Sequence, residues 1–413
     1  MRILWFSNIV FPEAIRLLTG EGELKSSGGW MVAAAKGLIN EPDIKLAIAT
    51  ATSRVNEIKC LEGNGVVYYL FPPKGNVNDY MPFCKKIHDE YNPDVTHIYG
   101  TEYPYGLAYI NACGAENVVI SVQGLISVIA DFYNYGLSKS DIYKSMTLRD
   151  FFRGNLLNRQ KALKKKGNIE IAALQKAMHV IGRTSWDKAH VWAINPDAKY
   201  HFCNETLREE FYTGCWSYQD CTPYTIFISQ ATYPVKGLHQ LFKAMPLILR
   251  QYPETQIRIA GGYLPKGIIQ KIIKGTGYSR YLSQLAKKLS IKDHIIYLGS
   301  LNGEQMKSEY LKANMFVCPS TIENSPNSLG EAQILGVPCL SSYVGGTMDM
   351  IPNKDCGELY RFEDVEMLAY KICEIFRTSK DFNNDVMRNV ASQRHHSKTN
   401  AQKLVSIYRN IIE

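Results

Sequence analysis

No stretch of this chain holds the ~18 consecutive apolar residues that a membrane-crossing helix needs,. The N-terminal run is broken by Asn8 and Pro12, so it lacks the apolar core and cleavage site of a secretory signal,. The ten cysteines are scattered, the closest pair being Cys215 and Cys221. No Cys-x-x-Cys occurs, and no Cys/His spacing suits a zinc site. In a chain without a signal, such cysteines read as buried free thiols of a reducing compartment, so a cytoplasmic location is expected. Repeats and low-complexity tracts are absent, which excludes solenoids and disordered tails. No cluster of acidic metal ligands is visible, so neither metal nor cofactor is expected. Excess charge is also scarce: Lys+Arg 47 against Asp+Glu 39 leaves +8. Spread over two domains, that excess does not call for a nucleic-acid partner.

What is present is ordinary globular composition, 46% hydrophobic and 21% charged over 413 residues. That length suits two domains better than one core. Short β-branched or apolar runs are expected as strands at 2–7, 44–50, 66–71, 95–99, 118–122 and 179–182. A second set follows at 225–229, 256–260, 295–298, 315–318 and 338–342. Helix-length stretches lie between most of them, among them 30–39, 104–113, 237–250 and 302–312. Strand–helix alternation of this kind predicts an α/β fold with parallel sheets covered on both faces. The pattern restarts near residue 222, after turn-rich residues 205–222. The expected division is therefore a first domain over 1–205 and a second over 206–390. A terminal helical stretch within 391–413 could pack on either domain. In such sheets ligands bind beyond the carboxyl ends of the strands, so the loops there are where chemistry belongs.

One of those loops is distinctive. After the strand ending at Cys318 the chain reads Pro319-Ser-Thr-Ile-Glu323-Asn-Ser-Pro-Asn-Ser-Leu-Gly-Glu331-Ala. Pro326 favours a helix start with Ser325 as its cap. Gly336 and Pro338 end that helix. Glu323 then precedes the helix, Glu331 lies inside it, and between them sits a helix N-terminus at Asn327, Ser328 and Leu329. Backbone N–H groups there suit a phosphate. Cap to Glu331 is about six residues, or ~9 Å of rise, about the reach of a diphosphate and a ribose.

This segment resembles the signature of retaining GT-B-fold glycosyltransferases of the family-4 type (glycosyl transferases group 1). Its parts are Pro319-Ser320, Glu323, Glu331-Ala332, Gly336-Val337-Pro338 and Gly345-Gly346. The resemblance implies two Rossmann-like domains facing across a cleft. It implies transfer of a sugar from a nucleotide-sugar donor to a saccharide or lipid-linked acceptor, with retention, in the manner of envelope polysaccharide synthesis. Glu323 would contact the donor sugar and Glu331 the ribose. Lys236, at a strand-to-helix turn, would hold departing diphosphate charge.

Other positions follow the family less closely. Its usual phosphate arginine is here Ala231; Arg183 could substitute, or could instead pair with Asp187 one helical turn on. Gly28 and Gly29 could approach the donor, or simply turn a loop. Gly261 and Ser300 resemble the nucleotide-base pocket. Gln123 stands where the family often has a histidine. Glu102 could meet the acceptor or be a solvated loop carboxylate, and His97 reads as a core histidine. Residues 149–166 interleave cations with Phe151, Phe152, Leu156, Leu157 and Leu163. They form either a helix with one core face or a surface for an anionic membrane. Two other readings use the same residues: a nucleotide-sugar epimerase of the same architecture, or a catalytically silent nucleotide-sugar-binding subunit.

Overall fold

The structure is a computed structural model that describes residues 1–20, 29–261 and 275–413. It divides into two units. One comprises Met1–Ser127, Lys165–Arg208 and Arg394–Glu413; the other comprises Val128–Lys164 and Glu209–Gln393.

The first unit holds β1 (Arg2–Ser7), β2 (Lys45–Ala51), β3 (Lys59–Glu62), β4 (Val66–Phe71), β5 (Val95–Tyr99), β6 (Val118–Ser121), β7 (His179–Gly182) and β8 (Lys199–Phe202). They make one sheet in the order β3-β4-β2-β1-β5-β6-β7-β8, parallel except where β3 meets β4. Near-continuous apolar runs such as β1 and β5 are buried because helices cover both faces,. The terminal helix Ser397–Ile412 belongs to this unit. Its Tyr408 hydroxyl accepts from Trp5 Nε1 at 2.9 Å and shares a 2.6 Å hydrogen bond with His97 Nδ1. His97 Nε2 meets Ser121 Oγ at 2.6 Å, so this histidine is a satisfied core residue,.

The second unit holds β9 (Thr222–Ile228), β10 (Gln256–Ala260), β11 (Ile295–Gly299), β12 (Ala313–Cys318), β13 (Cys339–Ser342) and β14 (Glu358–Tyr360). Their order is β11-β10-β9-β12-β13-β14, all parallel. From β9 the chain winds outward through β10 and β11; from β12 it winds the other way. The order therefore reverses between β9 and β12, the point where such sheets bind ligands. Lys236 follows β9 and Glu323 follows β12.

The division differs from a break at residue 205 in one respect: residues 128–164 sit on the second unit. Thr321 Oγ1 donates to the Phe132 carbonyl at 3.0 Å. Thr147 Oγ1 donates to the Gly275 carbonyl at 3.1 Å, and Arg280 Nη1 donates to the Met146 carbonyl at 2.7 Å. β3, β8 and β14 are strands that the sequence pattern did not announce. β3 and β8 are short edge strands with polar faces. All ten cysteines are free thiols and seven are buried, so no disulfide staples either unit.

Two glycines press the site loops together. Gly237 has φ 67°, and a Cβ there would fall 1.6 Å from the Pro319 carbonyl oxygen. Gly345 has φ 53°, and a Cβ there would fall 1.9 Å from the Glu323 carbonyl oxygen. Gly20 has a similar φ of 71° but open space around it. Gly20→Ala should therefore cost about 1 kcal/mol of left-handed strain. Gly237→Ala and Gly345→Ala should each cost about 3 kcal/mol or more in urea unfolding, because a backbone clash adds to the strain. Equal losses at all three positions would refute the close approach.

A second prediction comes from the three most deeply buried histidines. Burial holds His97 and His239 down to about 3 and His395 to about 4. Each stays neutral in the folded chain and binds a proton on unfolding below about pH 6.5. Their contribution is complete above that pH and is lost as pH falls. Each adds about 1.4 kcal/mol per pH unit, so the three give roughly 4 kcal/mol per unit near about pH 5. Calorimetry should show midpoints dropping over that window; a level profile would count against it.

Candidate functional site

β9 ends at Ile228, and the chain reaches Lys236 through a single 3-10 turn, Pro234–Lys236. β12 ends at Cys318, and the loop after it runs to Glu323. Thr321 N–H donates to the Val235 carbonyl at 2.7 Å, which sets the two loops side by side. Gly346 N–H donates to the Glu323 carbonyl at 3.0 Å and fixes the second loop from its other side.

The result is an ion pair. Lys236 Nζ donates to Glu323 Oε1 at 2.5 Å, and Ser320 Oγ donates to the same oxygen at 2.7 Å. Both side chains are mostly buried, 21% and 13% exposed. Burial works against the charge on Lys236, but the Glu323 carboxylate more than offsets it. The net shift is upward, so the ammonium persists through neutral pH. The Lys236 ammonium also lies 5.8 Å from the centre of the Tyr233 ring.

The helix that follows spans Asn327–Leu335, with Pro326 as its N-cap and Gly336 in the left-handed conformation as its C-cap. The start lies one residue beyond the expected one. The extended Pro326 carbonyl takes Leu329 N–H at 2.9 Å and Gly330 N–H at 3.3 Å, which is the role of a cap,. Cap to Glu331 is then five residues, or ~7.5 Å. Leu329 has a fully buried side chain, and its N–H is engaged with the cap. Asn327 and Ser328, the first two helical positions, remain at the helix end and are half-buried. Glu331 is buried, with the Tyr310 hydroxyl 3.4 Å from Oε2. That hydroxyl donates to the Ser328 carbonyl at 2.8 Å, tying Glu331 to the first turn.

Gly261 and Ser300 follow the neighbouring strands β10 and β11, on the same end of the sheet. Gly261 N–H donates to the Gly299 carbonyl at 2.8 Å. Ala231 is buried. Arg159 is a neighbour that the sequence pattern did not single out. It hydrogen-bonds the Tyr133 hydroxyl, and Tyr133 lies within electrostatic reach of Tyr233. Nothing local in the sequence signals that proximity.

The remaining candidates lie in the first unit. Arg183 does not pair with Asp187 through its guanidinium. Its Nη1 meets Glu205 Oε2 at 2.6 Å and its Nη2 donates to the Gln123 carbonyl at 2.8 Å. Asp187 instead caps its own helix, accepting from Arg183 N–H at 2.9 Å and from the Tyr200 hydroxyl at 2.5 Å. Arg183 is thus a buried structural ion pair beside Gln123. Glu102 follows β5 and is half-buried rather than solvated. Burial raises its carboxyl, its own backbone N–H opposes that, and Glu170 adds to the rise. Gly29 opens the helix Gly29–Ile39, and Gly28 lies outside the described residues. Among the described residues no group of three or more His, Cys, Asp or Glu could hold a metal ion.

Comparison with known proteins bears on this geometry. An uncharacterized glycosyltransferase of Methanocaldococcus jannaschii is 31% identical over 137 residues, 33% of this chain and 31% of its own length. D-inositol 3-phosphate glycosyltransferase of Corynebacterium urealyticum is 28% identical over 182 residues, 43% of this chain and 41% of its own length. These matches span less than half of the relatives' length. Sucrose-phosphate synthase of Thermosynechococcus elongatus superposes with TM-score 0.72 at 16% identity, covering 99% of this chain and 98% of its own. HepE of Anabaena, in complex with UDP-glucose, superposes with TM-score 0.64 at 14% identity, covering 99% and 100%. The shared feature at that identity is the fold, two Rossmann-like units of the GT-B type. Residues 219–393 match the family described as glycosyl transferases group 1, and the matched stretch holds the Lys236–Glu323 pair and the Glu331 helix.

Proposed function

We propose that the chain is a retaining glycosyltransferase that takes a sugar from a nucleoside diphosphate sugar. The observation that carries this is the Lys236–Glu323 pair at the strand-order reversal, four residues ahead of a helix N-terminus. A cation and, four residues beyond its partner in sequence, a helix end are features that suit a diphosphate. Glu323 would meet the donor sugar and Glu331 the ribose hydroxyls. The UDP-glucose held by HepE, a protein of the same fold, supports a donor of this class.

In the proposed reaction the bond between the sugar's anomeric carbon and the β-phosphate oxygen breaks. A bond to the acceptor oxygen forms on the same face, and the acceptor proton passes to the departing phosphate. Lys236 stabilises the charge that grows on that phosphate, together with the N–H groups at Asn327 and Ser328. The cation at the site is thus a side chain, and transfer should persist in the presence of a chelator. Glu102 and Gln123 are the residues offered for the acceptor, a saccharide or lipid-linked saccharide of envelope polysaccharide synthesis.

A thermal-shift panel of nucleoside diphosphates and their sugars tests the donor class; no stabilisation by any of them would sink the reading. Lys236→Ala should lower turnover about 10²- to 10³-fold while changing nucleoside diphosphate affinity much less. Glu331→Gln should do the reverse, weakening that affinity about tenfold or more through a lost charged hydrogen bond. Donor binding without transfer or hydrolysis would indicate a silent binding subunit. Anomeric inversion in the product would overturn retention.

A further inference from the structure

Residues 149–166 do not form one helix with a core-facing side. They break at Gly154 into a short helix, Leu148–Arg153, and the start of a long one, Leu156–Lys176. The break turns the apolar side chains outward. Phe151 is 75% exposed and Phe152 82%, their rings edge-on at 5.6 Å. Leu148 and Tyr143 join them at 65% and 58%. The opposite side of this segment is the fixed one. Ile142, Ser145, Asp150 and Leu156 are buried. The Thr147–Gly275 and Met146–Arg280 hydrogen bonds hold it on the second unit.

The charge around this patch is one-sided. Residues 139–164 carry seven cations (Lys139, Lys144, Arg149, Arg153, Arg159, Lys161, Lys164) and two acids, Asp141 and Asp150. Both acids are committed to capping boxes, Asp141 with Ser138 and Asp150 with Thr147. Lys164 is paired with Asp131. Contiguous exposed apolar surface on a soluble protein marks an interaction site. Cations around it specify an anionic partner. Phe151, Phe152 and Leu148 have no polar edge with which to read a nucleic acid or an acidic peptide, whereas they suit the headgroup–acyl boundary of a bilayer.

We infer that this surface docks the protein on an anionic lipid bilayer, with Phe151 and Phe152 inserted and the cations on the headgroups. The docking itself is independent of the transfer reaction; only its use, bringing the second unit to a lipid-linked acceptor, rests on that reading.

Vesicle flotation of the full chain, without donor or acceptor, tests it. Wild type should float with phosphatidylglycerol–phosphatidylcholine vesicles and not with phosphatidylcholine alone. Phe151→Ser with Phe152→Ser should lower partitioning about 100-fold, roughly tenfold per ring. Lys144→Glu with Arg153→Glu should lower it about tenfold or more. All four side chains are exposed, so these variants should keep the wild-type melting temperature. Phe202→Ser, a 52% exposed ring elsewhere, should float like wild type. Failure of wild type to float, or equal recovery of both double variants, would overturn the inference. Binding to a single-stranded oligonucleotide without flotation would overturn it too, in favour of a nucleic-acid surface.

Discussion

The second unit depends on how three loops share one end of its sheet. The loop carrying Glu323 is held between the Val235–Gly237 turn and the Gly345–Gly346 turn. Each turn touches its backbone closely enough to leave no room for a Cβ. Two hydrogen bonds complete the arrangement, Thr321 to Val235 and Gly346 to Glu323. Neither the lysine nor the glutamate is placed by its own rotamer alone. Both are placed by backbone that two glycines allow to meet. A side chain at either glycine would separate the charges before it reached the chemistry.

That constraint also explains the charge state of the pair. Lys236 and Glu323 are each mostly buried, and an isolated charge there would be costly. Together with Ser320 they satisfy one another, so the ammonium stays protonated although burial works against its charge. At the proposed donor site a diphosphate would meet a cation that already has a carboxylate partner. Its positive field must therefore be supplemented, and the Asn327 helix end is the nearest supplement along the chain. The buried Ala231 adds nothing, and Arg183 is committed to Glu205 in the other unit.

What was legible in the sequence was local. The strand before Pro319, the helix stop at Gly336 and the spacing of Glu323 and Glu331 follow from turn chemistry within a few residues. Pro326 was misplaced by one position because its fixed φ suits both a cap and a first helical residue. Non-local features were not legible. Asp187 was the natural partner of Arg183 by helical spacing, but its carboxylate was needed at its own helix N-terminus. Glu205, a more distant residue in sequence, took the guanidinium. Tyr408 closes on Trp5 and His97 from the far end of the chain, a pairing that periodicity cannot announce. Phe151 and Phe152 carry the pattern of core residues, and only the break at Gly154 turns them outward.

The same break has a wider consequence. Residues 128–164 begin at the Glu323 loop, where the Phe132 carbonyl accepts Thr321, and they continue to the exposed rings at Phe151 and Phe152. Between these ends Gly136 packs on His239, in the helix Leu238–Leu249 that follows Lys236. One segment thus touches the loop that carries Glu323 and the helix that follows Lys236, and then presents the apolar, cationic surface. A chain break at residue 205 would have assigned that surface to the other unit. Its contacts instead make it part of the unit that carries Lys236, Glu323 and Glu331, so whatever it docks upon is met by the same unit as the candidate donor site.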